Sequence, residues 1–276
     1  MDASSDRVSF VIKPSLLFFL DGFCESDLGL AKVTGHPGVF IVLGTQMPTL
    51  AKVTVLPGRS FLLLMLMLDV RLLEGISALQ PRSETQATLN YPFLAKGRMD
   101  GHLIDILLSL VEQAACPDTD LSPPSLLDLY QYILGTPQGS VLKRLSGLGL
   151  KDIHRSIMWL NDRFNHDFSV PDLANIADMP LTSFHRNFKL ITGLSPLQYI
   201  KTIRLIEARR LMLFYGMNAV NSSKEVGYSS TTQFNREYKR YFIRPPHRDM
   251  AYTLRYNAPV YQPLSLTHRY NTNIIT

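Results

Sequence analysis

Two stretches decide the architecture. The first reads Ser169-Val-Pro-Asp-Leu-Ala-Asn-Ile-Ala-Asp-Met-Pro-Leu-Thr-Ser-Phe-His-Arg-Asn-Phe-Lys189. The second reads Ala219-Val-Asn-Ser-Ser-Lys-Glu-Val-Gly-Tyr-Ser-Ser-Thr-Thr-Gln-Phe-Asn-Arg-Glu-Tyr-Lys239. In the first, Ser169 is placed to cap a helix, Pro171 suits its first turn, and Asp172 favours the positive end. Leu173, Ile176 and Ala177 face inward, and a break follows at Asp178–Pro180. The next helix buries Phe184 and Phe188, one turn apart, and leaves Thr182, Ser183, His185, Arg186 and Lys189 on its open face. In the second stretch Gly227 marks the turn and Ser230 caps the following helix. Phe234 and Tyr238 repeat the aromatic pair, while Thr232, Gln233, Asn235, Arg236 and Lys239 repeat the polar face. The pattern Phe-x-Arg-x-Phe/Tyr-Lys therefore occurs twice, which two unrelated amphipathic helices would not produce.

Between them runs a long helical pattern from Ser195 to Tyr215, with Pro196 at its start and Gly216 at its end. Its apolar residues fall on two faces, Leu197, Ile200, Ala208 and Leu211 on one and Tyr199, Ile203, Ile206 and Leu213 on the other. A helix of that length spans roughly 31 Å, close to the ~34 Å between successive major-groove faces of a duplex. Charge agrees with a polyanionic partner. Of 276 residues, the first 150 hold 11 Lys/Arg against 14 Asp/Glu, and the remainder 17 against 9. A basic second half behind a slightly acidic first half divides the labour between them.

Residues 1–95 read as strands and turns. Turn signals recur at Asp21-Gly22, His36-Pro-Gly38, Gly44, Met47-Pro48 and Pro57-Gly58, with apolar or alternating runs at Val39–Leu43, Leu50–Leu56 and Phe61–Val70. This suits a small antiparallel sheet, an open barrel or a sandwich fragment. Residues 98–116 switch to a helical period, with Leu103, Ile106, Leu107 and Leu110 in one stripe that Val111 and Ala114 extend. That stripe serves either packing on the sheet or a dimer seam. Breakers crowd 117–150 around a short helix at Ser125–Leu134, and the domain boundary falls near Gly147–Leu150. The expected division is 1–150, regulatory or dimerising; 151–250, the double helical unit; and 251–276, a polar tail.

Other function classes are weaker. The seven histidines lack metal-ligand spacing, and the chain has no G-x-S-x-G, P-loop or G-x-G-x-x-G pattern. Asp162, His166 and Asp167 read as solvated helix-end residues, and Trp159 as core. Cys24 and Cys116 cannot form a disulfide framework. The opening Met1-Asp-Ala-Ser-Ser-Asp6 is unlike a basic signal-peptide start, and Phe61–Leu68 is too short for a bilayer. A soluble cytoplasmic protein is expected, with no membrane partner, no metal and no cofactor. The alternatives weighed are an RNA-binding or other basic nucleic-acid-associated protein, and a small-molecule enzyme built on the first half.

The basic half resembles the AraC/XylS family of bacterial transcription regulators over about Ile153 to Asp249. The residues that carry the resemblance include Phe184-His-Arg186, Phe188-Lys189, Ser195-Pro-Leu-Gln-Tyr199, Glu207-Ala-Arg-Arg-Leu211, Val226-Gly-Tyr228, Gln233-Phe234 and Arg236-Glu-Tyr-Lys-Arg240. Gly135-Thr-Pro-Gln-Gly139 is similar to the segment preceding that domain in the subfamily with an AraC-type regulatory domain. The resemblance implies an α+β chain: a small, truncated β-sheet or cupin-like barrel plus helices, then an all-α DNA-binding domain of seven helices with two helix-turn-helix units. It implies base-facing Thr182, His185, Arg186, Thr231, Thr232, Asn235 and Arg236, with Lys189, Lys239 and Arg240 toward phosphate; Ser183 and Gln233 complete the DNA-binding set. The implied partner is double-stranded DNA. A small-molecule effector, a homodimer and, for an activator, RNA polymerase stay open. This chain departs from the family pattern at Asp178, Pro180, Ser222-Ser223 and Ile243. The N-terminal resemblance begins only near His36-Pro-Gly-Val-Phe40, hence the expected truncation.

Overall fold

The computed structural model describes residues 7–29, 31–69, 91–115, 123–145, 150–255, 264–266 and 272–275. Cys116 and the expected boundary at 147–149 lie outside them. Eight strands open the chain: β1 Arg7–Ile12, β2 Ser15–Asp21, β3 Phe23–Leu28, β4 Ala31–Gly35, β5 Val39–Leu43, β6 Met47–Thr54, β7 Leu62–Met67 and β8 Leu94–Arg98. They form two antiparallel sheets. One has the order β1-β6-β3-β4. The other runs β8-β5-β2-β7 and continues into β10 (Thr272–Ile275) and β9 (Leu264–Leu266).

The second sheet is buried on both faces, which explains its unbroken apolar runs. Leu17 and Phe19 of β2, Ile41 of β5 and Met65 of β7 join Ile12, Leu28, Val33 and Met47 in a core between the sheets. Their neighbours Leu16, Phe18, Phe40, Val42, Leu64 and Leu66 face three helices instead: α1 Gly101–Ala115, α2 Pro123–Gly135 and α3 Ser140–Leu145. Gly35 is required here, because a Cβ on it would sit 2.1 Å from the Phe19 ring.

Seven helices follow: α4 Leu150–Asp162, α5 Val170–Ile176, α6 Leu181–Thr192, α7 Pro196–Tyr215, α8 Ala219–Glu225, α9 Thr231–Phe242 and α10 Pro246–Arg255. They enclose two cores. One gathers α4, α5, α6 and the first half of α7. The other gathers the second half of α7 with α8, α9 and their connections. Hence α7 serves both units, but by its two halves rather than by the two faces expected: Tyr199, Ile200 and Ile203 join one core, and Leu205, Ala208 and Met212 the other.

Four expectations are corrected. The opening strands are not truncated: β1–β4 precede His36 and complete both sheets. Their signal is weak because β3 exposes Glu25 and Asp27 on one face. The segment 251–276 is not simply a tail, since α10 runs to Arg255 and β10 pairs with β7, Ile274 opposite Leu64. On α1, Leu103, Leu107 and Leu110 are buried, but Val111 is exposed. On α7, Leu197 is exposed, and Leu205, Arg209 and Met212 are buried in places the pattern did not assign.

The halves touch along α7. The Tyr199 hydroxyl donates to the Gln46 carbonyl at 3.0 Å, Arg209 Nη1 reaches Ser9 Oγ at 3.4 Å, and Val11 packs into the first helical core.

Candidate nucleic-acid interface

Each unit presents its second helix by pinning the opposite side with aromatic rings. In the first, Ser169 and Asp172 form a reciprocal cap: Asp172 N–H donates to Ser169 Oγ at 3.3 Å, and Ser169 N–H donates to Asp172 Oδ2 at 2.9 Å. Hydrogen bonds from the Ser169 side chain and backbone hold the Asp172 carboxyl below the usual carboxylate range. The turn at 177–180 carries Asp178 at φ 48°, a left-handed value normally left to glycine. Pro180 then opens α6 without a capping side chain. Phe184 and Phe188 are fully buried with centroids 5.5 Å apart, and Phe188 meets the Tyr199 ring edge-on at 5.5 Å.

In the second unit Asn218 caps α8, and Ser230 caps α9 by accepting from Gln233 N–H. Phe234 and Tyr238 repeat the buried pair at 5.4 Å, and Tyr228 packs on Phe234 at 5.3 Å. With the rings inward, the helical period turns the intervening positions outward.

Thr182, His185, Arg186 and Lys189 are exposed on α6, with Ser183 half-buried. Thr232, Asn235, Arg236, Lys239 and Arg240 are exposed on α9. Three members of the expected set differ, Ser183 on α6 and two on α9. Thr231 is half-buried, its Oγ1 3.4 Å from Ser223 Oγ. Gln233 turns its amide back to donate to Glu237 Oε1 at 3.1 Å, so its polar end is not on the open face. The reason is a buried carboxylate that needs donors.

That carboxylate belongs to a network the sequence reading missed. Glu237, 7% exposed, also accepts from Lys201 Nζ at 2.7 Å and from Tyr228 OH at 2.9 Å. Arg209 and Asp249 form a second buried pair, Nε to Oδ2 2.7 Å, and Tyr238 OH donates to the same oxygen at 2.8 Å. Arg204 joins the units: Nε donates to Phe164 O at 2.7 Å, Nη1 to Gly227 O at 2.7 Å and Nη2 to His166 O at 3.0 Å. Gly227, at φ 86°, lies so close to Asn165 that a Cβ would meet its carbonyl at 2.7 Å. A usable signal existed. Glu237 and Asp249 are the sole acids in 231–250, and Arg209 follows Ala208 on the inward side of α7.

Asp162, His166 and Asp167 are exposed as expected. Trp159 packs at the margin of the first helical core with Arg163 5.3 Å over its ring. Among the described residues no His/Cys/Asp/Glu group is arranged to hold a metal ion, and no helix is long and apolar enough to cross a membrane. The candidate interface is thus two exposed polar faces on helices packed against the two halves of one 20-residue helix.

Comparison with known proteins bears on this arrangement. Residues 173–251 match the model of a family described as a helix-turn-helix domain. The HTH-type transcriptional regulator ExsA of Pseudomonas aeruginosa PAO1 is 30% identical over 127 residues, 45% of this chain and 44% of that protein. The HTH-type transcriptional activator RhaS of Enterobacter sp. strain 638 is 30% identical over 112 residues, 38% of this chain and 40% of that protein. The matches therefore span less than half the length of these relatives. An apo form of ToxT from Vibrio cholerae strain SCE256 superposes with a TM-score of 0.59 at 12% identity, over 90% of this chain and 93% of that one. ToxT of the same strain with unsaturated fatty acid bound gives 0.54 at 12% identity, over 90% and 95%. The fold as a whole, sheets then helices, is similar to that of ToxT, and residues 173–251 of this chain form a helix-turn-helix domain.

Proposed function

We propose that the chain is a sequence-specific DNA-binding transcription regulator whose helices α6 and α9 enter successive major grooves of one duplex. The observation that carries this reading is the pairing of two exposed polar faces by α7. Its 20 residues correspond to about 30 Å, near one turn of DNA. Arg204 and the two buried acid–base clusters hold the faces in fixed relation, so the protein meets DNA without reordering.

Within each face Arg and Lys take different parts. Arg186 and Arg236 lie two residues after a buried ring and can fork onto guanine O6 and N7; Asn235 can pair adenine. Lys189 and Lys239 follow one turn later and meet phosphate as point charges. Two features of the first half support regulation by partners. Ile104, Leu108 and Val111 are exposed on one side of α1 at helical spacing, which suits a second copy of the chain. The two sheets close on an apolar core of Leu17, Phe19, Ile41 and Met65, in a fold similar to that of ToxT, which binds an unsaturated fatty acid in a neighbouring structure, so an effector taken up by this half would be apolar.

The test is a base-by-base binding profile with the full chain. Arg186→Ala should cost ~1–3 kcal/mol on the preferred site and relax one base position. Lys189→Ala should weaken preferred and random duplexes alike and reduce the salt slope by about one unit. The positions relaxed by Arg186→Ala and Arg236→Ala should lie ~10 base pairs apart. A uniform loss for both arginine variants, with no base position relaxed, would remove the base-reading assignment.

A further inference from the structure

The corner that follows the reading helix is used differently in the two units. Aligning Phe184 with Phe234 places Leu194 opposite Arg244, Leu197 opposite His247 and Gln198 opposite Arg248. In the first unit Leu194 lies beside the N-terminal half, while Leu197 and Gln198 are exposed but uncharged. A Cβ on Gly29 would lie 2.7 Å from the Thr192 carbonyl and 3.4 Å from Leu194. In the second unit Arg244, His247 and Arg248 are all exposed.

Their charge is not cancelled within the segment. Residues 231–250 contain two acids, Glu237 and Asp249. Both are buried, Glu237 against Lys201 and Asp249 against Arg209. What remains outward is Arg236, Lys239, Arg240, Arg244 and Arg248. Four of these arginines recur every fourth position from the reading helix into α10. The matching stretch of the first unit, 181–200, offers only Arg186 and Lys189. Arg244 is also ordered in advance: its guanidinium stacks on Tyr252, 3.7 Å from the ring centroid. Stacking covers the flat face of the cation and leaves its N–H edge free to fork onto two oxygens.

We infer that Arg244 and Arg248 extend the contact of the second unit beyond its groove onto the flanking phosphate backbone. The inference rests on the DNA-binding reading above. It makes the contact lopsided. Between its reading helix and Ile200 the first unit offers no further cation, and the second continues along the duplex with Arg244 and Arg248. Because phosphate carries no sequence information, the extension adds affinity and fixes orientation without adding a base to the preferred site.

The experiment uses the full chain and a duplex that it selects from a random library. Duplexes are shortened stepwise from the end that Arg236 reads. The unmodified chain should lose affinity when the flank beyond the last specified base is removed. The double variant Arg244→Gln, Arg248→Gln should be indifferent to that removal, keep its base profile, and show a salt slope lower by about two units. Arg244→Lys with Arg248→Lys should restore most of the slope, which separates lost charge from lost folding. If the glutamine variant keeps the full slope and still responds to the flank, the inference falls and the base-reading assignment stands. Binding of an acidic polypeptide such as polyglutamate through these residues, with DNA binding unchanged, would also overturn it. Failure of the unmodified chain to select any duplex would remove the underlying reading instead.

Discussion

The first helix-turn-helix unit is held by apolar contact and the second by buried charge, although both are built on the same helix. Three residues beyond the proline that opens the helix after each reading helix stand Tyr199 and Asp249 respectively. In the first unit the Phe188 ring packs edge-on against Tyr199. In the second, Tyr238 takes the place of Phe188 and donates a hydrogen bond to Asp249, which also binds Arg209. The small pair that packs the scaffold helix differs in the same sense: Leu173 and Ala174 in one, Ser222 and Ser223 in the other, all buried. An apolar contact loses stability in proportion to what is removed. A buried ion pair is close to all-or-none, because the surviving partner stays desolvated. The second unit should therefore be the more brittle one.

The sharpest way to break this comparison is to cut each unit at its equivalent point. Arg209→Met leaves Asp249 buried with only the Tyr238 hydroxyl and should cost ~3–5 kcal/mol. Tyr199→Phe removes a hydroxyl that donates to Gln46 O and accepts from Asn161, and should cost ~1 kcal/mol. Denaturant melts of the full chain give both values. Equal losses would mean that the ion pair is no more critical than the Tyr199 hydroxyl beside the ring contact. Unfolding that begins in the first unit in Arg209→Met would contradict the assignment of the pair to the second.

Ser222 offers the next largest effect, in the opposite direction. Its Oγ is fully buried and has no hydrogen-bond partner, whereas Ser223 Oγ donates to the Val220 carbonyl at 2.8 Å. An unpaired buried hydroxyl costs ~1–3 kcal/mol. Ser222→Ala should recover much of that and slow hydrogen exchange at Val220–Val226, while Ser223→Ala should not. In the unmodified chain exchange should be faster at Val220–Val226 than at Leu173–Ala177. Matching protection in the two helices would count against the brittle second unit.

Backbone caps sharpen the comparison further, since each unit lacks one device the other has. Ile243 ends α9 at φ 68°, where Gly193 ends α6 at φ 72°. A β-branched residue in the left-handed region is strained by ~1–2 kcal/mol. Ile243 is also exposed, so Ile243→Gly loses little packing and should stabilise by about 1 kcal/mol. Pro180→Ser should supply the missing cap of α6, worth up to ~1 kcal/mol. Thermal melts of the two variants read both gains, and a loss in either would show that the observed backbone is set by something other than these residues.

How much of this was legible follows from the kind of signal. Capping at Ser169 and Ser230 and the ring pairs at 184/188 and 234/238 are local, so spacing alone places them. The unusual backbone at Asp178 and Ile243 was also visible, because each stands where the family pattern has glycine. The opening strands were harder. In β3 and β4 the buried residues alternate with exposed polar ones, and the pairing of β3 with β6 is long-range. The inward turn of Gln233 was not visible, because it depends on Glu237, which depends in turn on Lys201 from another helix. Pairings of buried charge across helices leave no periodic trace, and a polar residue that serves the core looks in sequence like one that faces solvent.

Glu237 gives the smallest predicted effect and the most direct probe of that hidden network. Burial pushes its carboxyl pKa up, but hydrogen bonds from Lys201, Gln233 and Tyr228 outweigh burial and hold it below the ordinary value. A carboxyl with a depressed folded-state pKa contributes stability above its unfolded-state pKa. That contribution is lost as pH falls through the folded-state value. Glu237→Gln keeps the shape and removes the titration. Its stability should fall less steeply than that of the unmodified chain on the acid side of the ordinary carboxylate range, although it should be less stable near neutrality because Lys201 loses its counter-charge. The measurement is a denaturant midpoint at several pH values below 6 and one near 7. Parallel curves for the two proteins would mean that the network does not depend on the ionised carboxylate. It would then be held by the neutral hydrogen bonds of Tyr228 and Gln233 alone, and the second unit would be less dependent on buried charge than its geometry indicates.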